Sequence, residues 1–223
     1  VSSLAGHTDV GHTGTTAEAE EPLIQTRLED YDTLVITKTR AGFDAVAVEE
    51  ARRLLREAAG GKLGRLKYLV FEFAHGGEAM VVKDEGFNVL VDELSNLILS
   101  APVISVAYAR GVMAGADLEF ALACSMLVAD PAATFSLEGD PVISIGAYGL
   151  LAMKIGFVRA ERLMEDGGVL DAVQMHDLLL VKGILDEGLE GFLRQASRRH
   201  NSQYGIYRAQ RINTRSVHAS LRG

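Results

Sequence analysis

The chain has 223 residues, 48% of them hydrophobic, with a formal net charge of −8 and a single cysteine. That length and apolar content suit one domain with a full core, and the negative charge argues against nucleic acid or an anionic membrane as the main partner. One Cys excludes an intrachain disulfide framework and fits a reducing cytoplasm, and no run approaches the ~20 apolar residues of a membrane span.

In chain order, residues 1–27 are rich in Ser, Thr, Gly and Glu without an apolar period. They read as a loosely attached extension with no signal-peptide pattern. His7 and His12 in it lack a third metal ligand. The folded part is expected from Tyr31, with a strand over 33–39 followed by a loop from Arg40 to Asp44. Val48, Ala51, Leu54, Leu55 and Ala58 recur at helical spacing, which predicts a helix over about 46–59. Glu49, Arg52, Arg53, Arg56 and Glu57 form its opposite, solvated side, and Gly60-Gly61 ends it. A strand over 67–74 runs into His75-Gly76-Gly77-Glu78. A helix over about 84–99 and a strand over 101–107 follow. Short strands at 126–129 and 134–137 precede a mostly helical remainder from about 147, which ends in a basic tail containing Arg198, Arg199, Arg208, Arg211, Arg215 and Arg222. Strand–helix alternation of this kind predicts an α/β fold with parallel pairing. Periodicity alone leaves a ββα spiral and a doubly wound sheet both open.

The chemistry concentrates in residues 101–130. The apolar run from Val103 to Val106 reaches Arg110-Gly111, and the small-residue corner Met113-Ala114-Gly115-Ala116 then opens a helix carrying Glu119. Such a corner lets a ligand approach backbone N–H donors at a helix start, and Glu119 lies three residues after Ala116 on the same helical face. A carboxylate beside unpaired N–H groups suits reactions in which a carbonyl oxygen gains negative charge while a proton moves. The plainer reading is a buried strand, a tight turn and a helix with one solvated Glu. Cys124, on the apolar stretch of this helix, reads as a buried small hydrophobe. In FAHGGE (73–78), Gly76 and Gly77 permit φ > 0 and close approach of a ligand, although an ordinary Gly-Gly turn fits as well. His75 reads either as a hydrogen-bond donor to substrate or as a plain turn residue. His176, His200 and His218 have no metal-ligand spacing, and no G-x-S-x-G elbow, Walker loop or dinucleotide fingerprint occurs.

The segment APVISVAYARGVMAGADLEFALACS (101–125) resembles the crotonase (enoyl-CoA hydratase/isomerase) superfamily in its PVI start, Gly111, the small-residue corner, Glu119 and the terminal Ala-Cys. The resemblance extends over about 31–190. It implies the superfamily's ββα spiral over 28–157, followed by a C-terminal helical region over 158–223. It implies oxyanion-hole N–H donors at Gly77 and Ala116, with Glu119 as one of two acid/base carboxylates. It also implies substrate contacts from Arg40, Ala74, His75, Gly76 and Gly115. Asp117, in place of a family Gly, adds negative charge near the nascent oxyanion.

The second family carboxylate is not matched. In TFSLEGDPVISIG (134–146) its place falls on Gly139 without a gap, or on Val142 if residues 138–140 are an insertion. Glu138 and Asp140 flank the place as candidates to reach the site, or else face water as turn residues. The resemblance therefore implies an acyl-CoA enzyme of the hydratase/isomerase type, with coenzyme A entering as part of the substrate. No metal or other cofactor is implied, and a cytoplasmic homo-oligomer (trimer or hexamer) is expected. Two other readings stay open. One is a diverged non-catalytic member that binds an acyl-CoA or a partner protein, and the other is an enzyme acting on a carbonyl substrate not carried by CoA.

Overall fold

In the computed structural model, residues 23–40, 44–74, 85–137 and 141–198 are described. A six-stranded sheet forms the centre. Its strands are β1 (Leu23–Leu28), β2 (Thr33–Lys38), β3 (Tyr68–Phe73), β4 (Ile104–Ala109), β6 (Met126–Ala129) and β9 (Gly183–Ile184), side by side in that order. β1 runs antiparallel to β2, and every other pairing in this sheet is parallel. A smaller sheet joins β5 (Val112–Met113), β7 (Thr134–Ser136) and β8 (Val169–Asp171).

Parallel strands need long crossovers, and helices supply them. Helix α1 (Ala45–Ala59) links β2 to β3, and α2 (Glu85–Ser100) precedes β4. The Asp44 carboxylate caps α1 by accepting from the Ala47 N–H at 2.8 Å, and Gly61 beyond it takes φ +71°, a conformation that disfavours a side chain. The face expected from the sequence, Val48, Ala51, Leu54, Leu55 and Ala58, is buried. Helix α3 (Gly115–Ala123) follows β5. It packs against α2, α4 (Pro141–Ile155), β4 and β6. Enclosure on several sides explains why Leu118 and the run from Phe120 to Ala123 are all buried. Helices α5 (Phe157–Asp166), α6 (Ala172–Asp177) and α7 (Gly188–Arg198) complete the elements of the described residues.

Strand alternation divides the core. Leu34, Ile36, Leu69, Phe71, Phe73, Ala107 and Ala109 belong to the cluster shared with α1, α2 and α3, whereas Val35, Tyr68, Val70, Val106, Met126 and Val128 pack with Leu193 and Ala196 of α7.

The structure corrects several expectations. Residues 23–27, assigned by composition to the extension, belong to β1. Its LIQTRL sequence hides an edge strand because only Leu23 is buried. Arg52, expected on the solvated side of α1, is 8% exposed and bridges Glu49 and Glu93 of α2. The strand expected over 101–107 is displaced to Ile104–Ala109. The helix expected from about 147 starts at Pro141, where proline's missing N–H costs nothing. Residues 1–22, with His7 and His12, lie outside the described residues, as do His75, Gly76, Gly77, Glu138, Asp140, His200, His218 and the tail arginines beyond Arg198.

Candidate active site

The pairing register aligns Lys38, Phe73 and Ala109 at the carboxyl ends of β2, β3 and β4. In an open α/β sheet this edge is where ligands bind. Both stretches singled out in the sequence leave from it. Ala74 follows β3, and the Arg110 N–H, donating to the Phe73 carbonyl at 3.2 Å, fixes the start of the β4–β5 crossover beside it. The crossover then delivers Gly115 and Ala116 to the start of α3.

Gly115 opens α3 at φ +52°, in the left-handed region that a small corner residue makes cheap. The Asp117 N–H turns back to the Ala114 carbonyl at 3.1 Å. Ala116, half-buried, lies in the first turn, where helix N–H groups have no intrahelical partner. A negative oxygen placed there meets an aimed donor and the positive end of the helix dipole. Phe120, one turn further, meets Phe71 edge-on with centroids 4.6 Å apart and Phe73 at 5.7 Å, seating α3 on the end of β3.

Glu119 is 3% exposed, which overturns the reading of it as a solvated helix residue. The Ser95 hydroxyl of α2, itself buried, donates to Glu119 Oε1 at 3.4 Å. Sequence reasoning missed Ser95, although its place among Val91, Leu94 and Ile98 puts a polar group on the apolar face of α2.

Asp117, two residues earlier on the same helix, has a different environment. Residues i and i+2 of a helix do not share a face, and Asp117 pairs instead with Lys38 at the end of β2. The Lys38 ammonium donates to Asp117 Oδ2 at 2.7 Å, with the two side chains 2% and 3% exposed. Lys38 Nζ also lies 5.9 Å from the centre of the Phe73 ring. Burial pushes the Asp117 carboxyl above the ordinary carboxylate range, while the Lys38 ammonium draws it back. Asp117 Oδ1 is buried without a hydrogen-bond partner among the described residues. The sequence signal for Lys38 was its period: Leu34, Ile36 and Lys38 point to the same face of β2, so a charge there requires a buried partner.

Of the other expected site residues, Arg40 pairs with Asp44 at 3.3 Å near the start of α1. Cys124 is buried, as expected, at the end of α3, and burial pushes its thiol up to about 12, which makes it inert as a nucleophile. Among the described residues no group of three or more His, Cys, Asp or Glu could hold a metal ion, and no helix is long and apolar enough to cross a membrane.

No protein-family model matches the sequence, and none of the curated proteins matches it. Solved structures do. An enoyl-CoA hydratase/isomerase from Marinobacter aquaeolei superposes with TM-score 0.68 at 21% identity, covering 83% of this chain and 81% of its own. A monofunctional enoyl-CoA isomerase from M. smegmatis gives 0.70 at 18% identity, covering 91% and 94%. An enoyl-CoA hydratase from Mycobacterium avium subsp. paratuberculosis K-10 gives 0.72 at 17% identity, covering 90% and 84%. The chain has the fold of the crotonase (enoyl-CoA hydratase/isomerase) superfamily, as the motif residues around Glu119 implied.

Proposed function

We propose that the protein is an acyl-CoA thioester enzyme of the enoyl-CoA hydratase/isomerase type that stabilises an enolate. One observation carries the reading. Ala116 occupies the first turn of a helix whose buried Glu119 stands three residues further along, at the carboxyl edge of a parallel sheet. The thioester oxygen accepts from the Ala116 N–H and, by family likeness, from the Gly77 N–H. In isomerisation Glu119 takes the proton from the carbon next to the thioester carbonyl and returns it further along the acyl chain. In hydration it takes a proton from the water that adds to the β-carbon, and the α-carbon is then protonated. In both, the electron pair rests on the oxygen in between. Asp117, held against Lys38, is unsuited to that shuttle, whereas Glu119 meets a neutral hydroxyl from Ser95. In this reading Asp117 is the fixed charge and Glu119 the proton carrier. Glu138 and Asp140 are the candidates for a second acid, and Arg40, Ala74, His75, Gly76 and Gly115 for substrate contacts. Coenzyme A enters as part of the substrate, no further cofactor is required, and the working form is a cytoplasmic homo-oligomer.

Crotonyl-CoA turnover by the wild type and Glu119→Gln tests this. Turnover abolished by the substitution, with acyl-CoA binding kept, supports it; unchanged turnover sinks it. The second reading is acyl-CoA binding without catalysis. It is favoured by the missing acidic residue at the place of the second family carboxylate, Gly139 or Val142, and saturable binding with no turnover in either protein would establish it.

A further inference from the structure

The Lys38–Asp117 pair has no part in the proton shuttle just described, and stability does not account for it. Two charges are taken out of water at the end of β2 and the first turn of α3, and apolar residues of similar volume generally serve stability as well or better. The inward positions before Lys38 on its strand are the apolar Leu34 and Ile36. An acid in the first turn would complement the helix dipole equally from a solvated face. What sets this acid apart is its place. Asp117 directly follows Ala116, and its carboxylate is buried with Oδ1 unpartnered among the described residues and Oδ2 on Lys38. Ionised and without its cation, it would set a negative charge in a poorly screened interior, one residue from the donor assigned to a developing oxyanion. Like charges so placed oppose each other strongly.

We propose that Lys38 is a positioning residue that acts through Asp117, its ammonium balancing the carboxylate so that the Ala116 end of α3 keeps a net positive field for an enolate oxygen. This rests on the enolate reading above. It makes an asymmetric claim: losing the cation harms enolate binding, and losing the anion does not. A purely structural lock would suffer equally from either loss.

The probe is acetoacetyl-CoA, whose enolate has an ultraviolet band distinct from the keto form, added to the full-length wild type, K38M, D117N, K38M/D117N and E119Q at one fixed, alkaline pH that keeps Asp117 ionised. For K38M the bound enolate fraction should fall by about tenfold or more, the effect of one added like charge in a partly screened interior. D117N and the double variant should keep or exceed the wild-type fraction. Equal losses in K38M and D117N, or no loss in K38M, overturn the proposal while leaving the enolate reading intact. If K38M does not fold, D117N and K38M/D117N decide: retention of the enolate band supports charge balance, and its loss refutes it. A wild type that binds acetoacetyl-CoA with no enolate band, or that does not bind it, overturns both readings. Wild-type turnover of crotonyl-CoA lost in E119Q but unchanged in K38M overturns the role of Lys38 alone.

Discussion

Two charged groupings stand at the same edge of the central sheet, on opposite faces. On the α3 side, Lys38 and Asp117 form a buried pair. On the α7 side, the residues immediately preceding Lys38 and Phe73 point the other way and build an open network. Thr37 donates to Glu72 Oε2 at 2.7 Å, and Arg110 donates to Glu72 at 3.0 Å and to Asp130 at 3.3 Å. The Tyr108 hydroxyl also donates to Asp130. Arg110 is about half exposed in this network, 47% against 2% for Lys38. The pleat alone sends neighbouring residues to these different fates. The contrast teaches where charge has consequences. The open network spreads its charges over several partners at the surface, whereas in the closed pair Asp117 is held against Lys38 away from solvent.

The largest effect should come from opening the closed pair. Lys38→Met leaves the Asp117 carboxyl buried without its cation and should cost about 3–5 kcal/mol of stability, read from denaturant unfolding. Adding Asp117→Asn should return much of that loss, and strict additivity of the two substitutions would show that the pair is not coupled.

A smaller effect belongs to Tyr108, whose phenol is raised above the usual value of 10.0 first by its burial and then by its bond to Asp130. The folded protein holds this proton more tightly than the unfolded chain does. Its contribution is therefore complete below about pH 10 and is lost as the pH climbs through the raised value. Alkaline unfolding curves should show this decline in the wild type, and Tyr108→Phe should flatten it; identical curves would remove Tyr108 as the titrating group.

The smallest effect should be that of Arg110→Ala, within about 1 kcal/mol because the guanidinium is half exposed and water replaces its bonds. The loss should shrink further as salt is added. A salt-independent loss as large as that of Lys38→Met would erase the distinction between the two groupings.

Much of this arrangement is legible in the chain itself. The helical spacing of Val48, Ala51, Leu54, Leu55 and Ala58, and the apolar run into Arg110-Gly111, follow from local periodicity. The small corner before Glu119 does too. Less legible was β1, because an edge strand with one buried residue has no apolar alternation to read. The start of α4 at Pro141 is equally hard to read, since a proline marks a turn as readily as the first turn of a helix.

Sequence alone determined the alternation of strand and helix, the motif helix with Ala116 and Glu119, and the burial of Cys124, because each depends on neighbours a few residues away. Only the tertiary structure decided that Asp117 would meet Lys38 and that Glu119 would meet Ser95. These partners lie 79 and 24 residues distant along the chain. Local pattern can mark a charge on an apolar face, but which group answers it depends on strand order and helix packing, and these are properties of the folded chain.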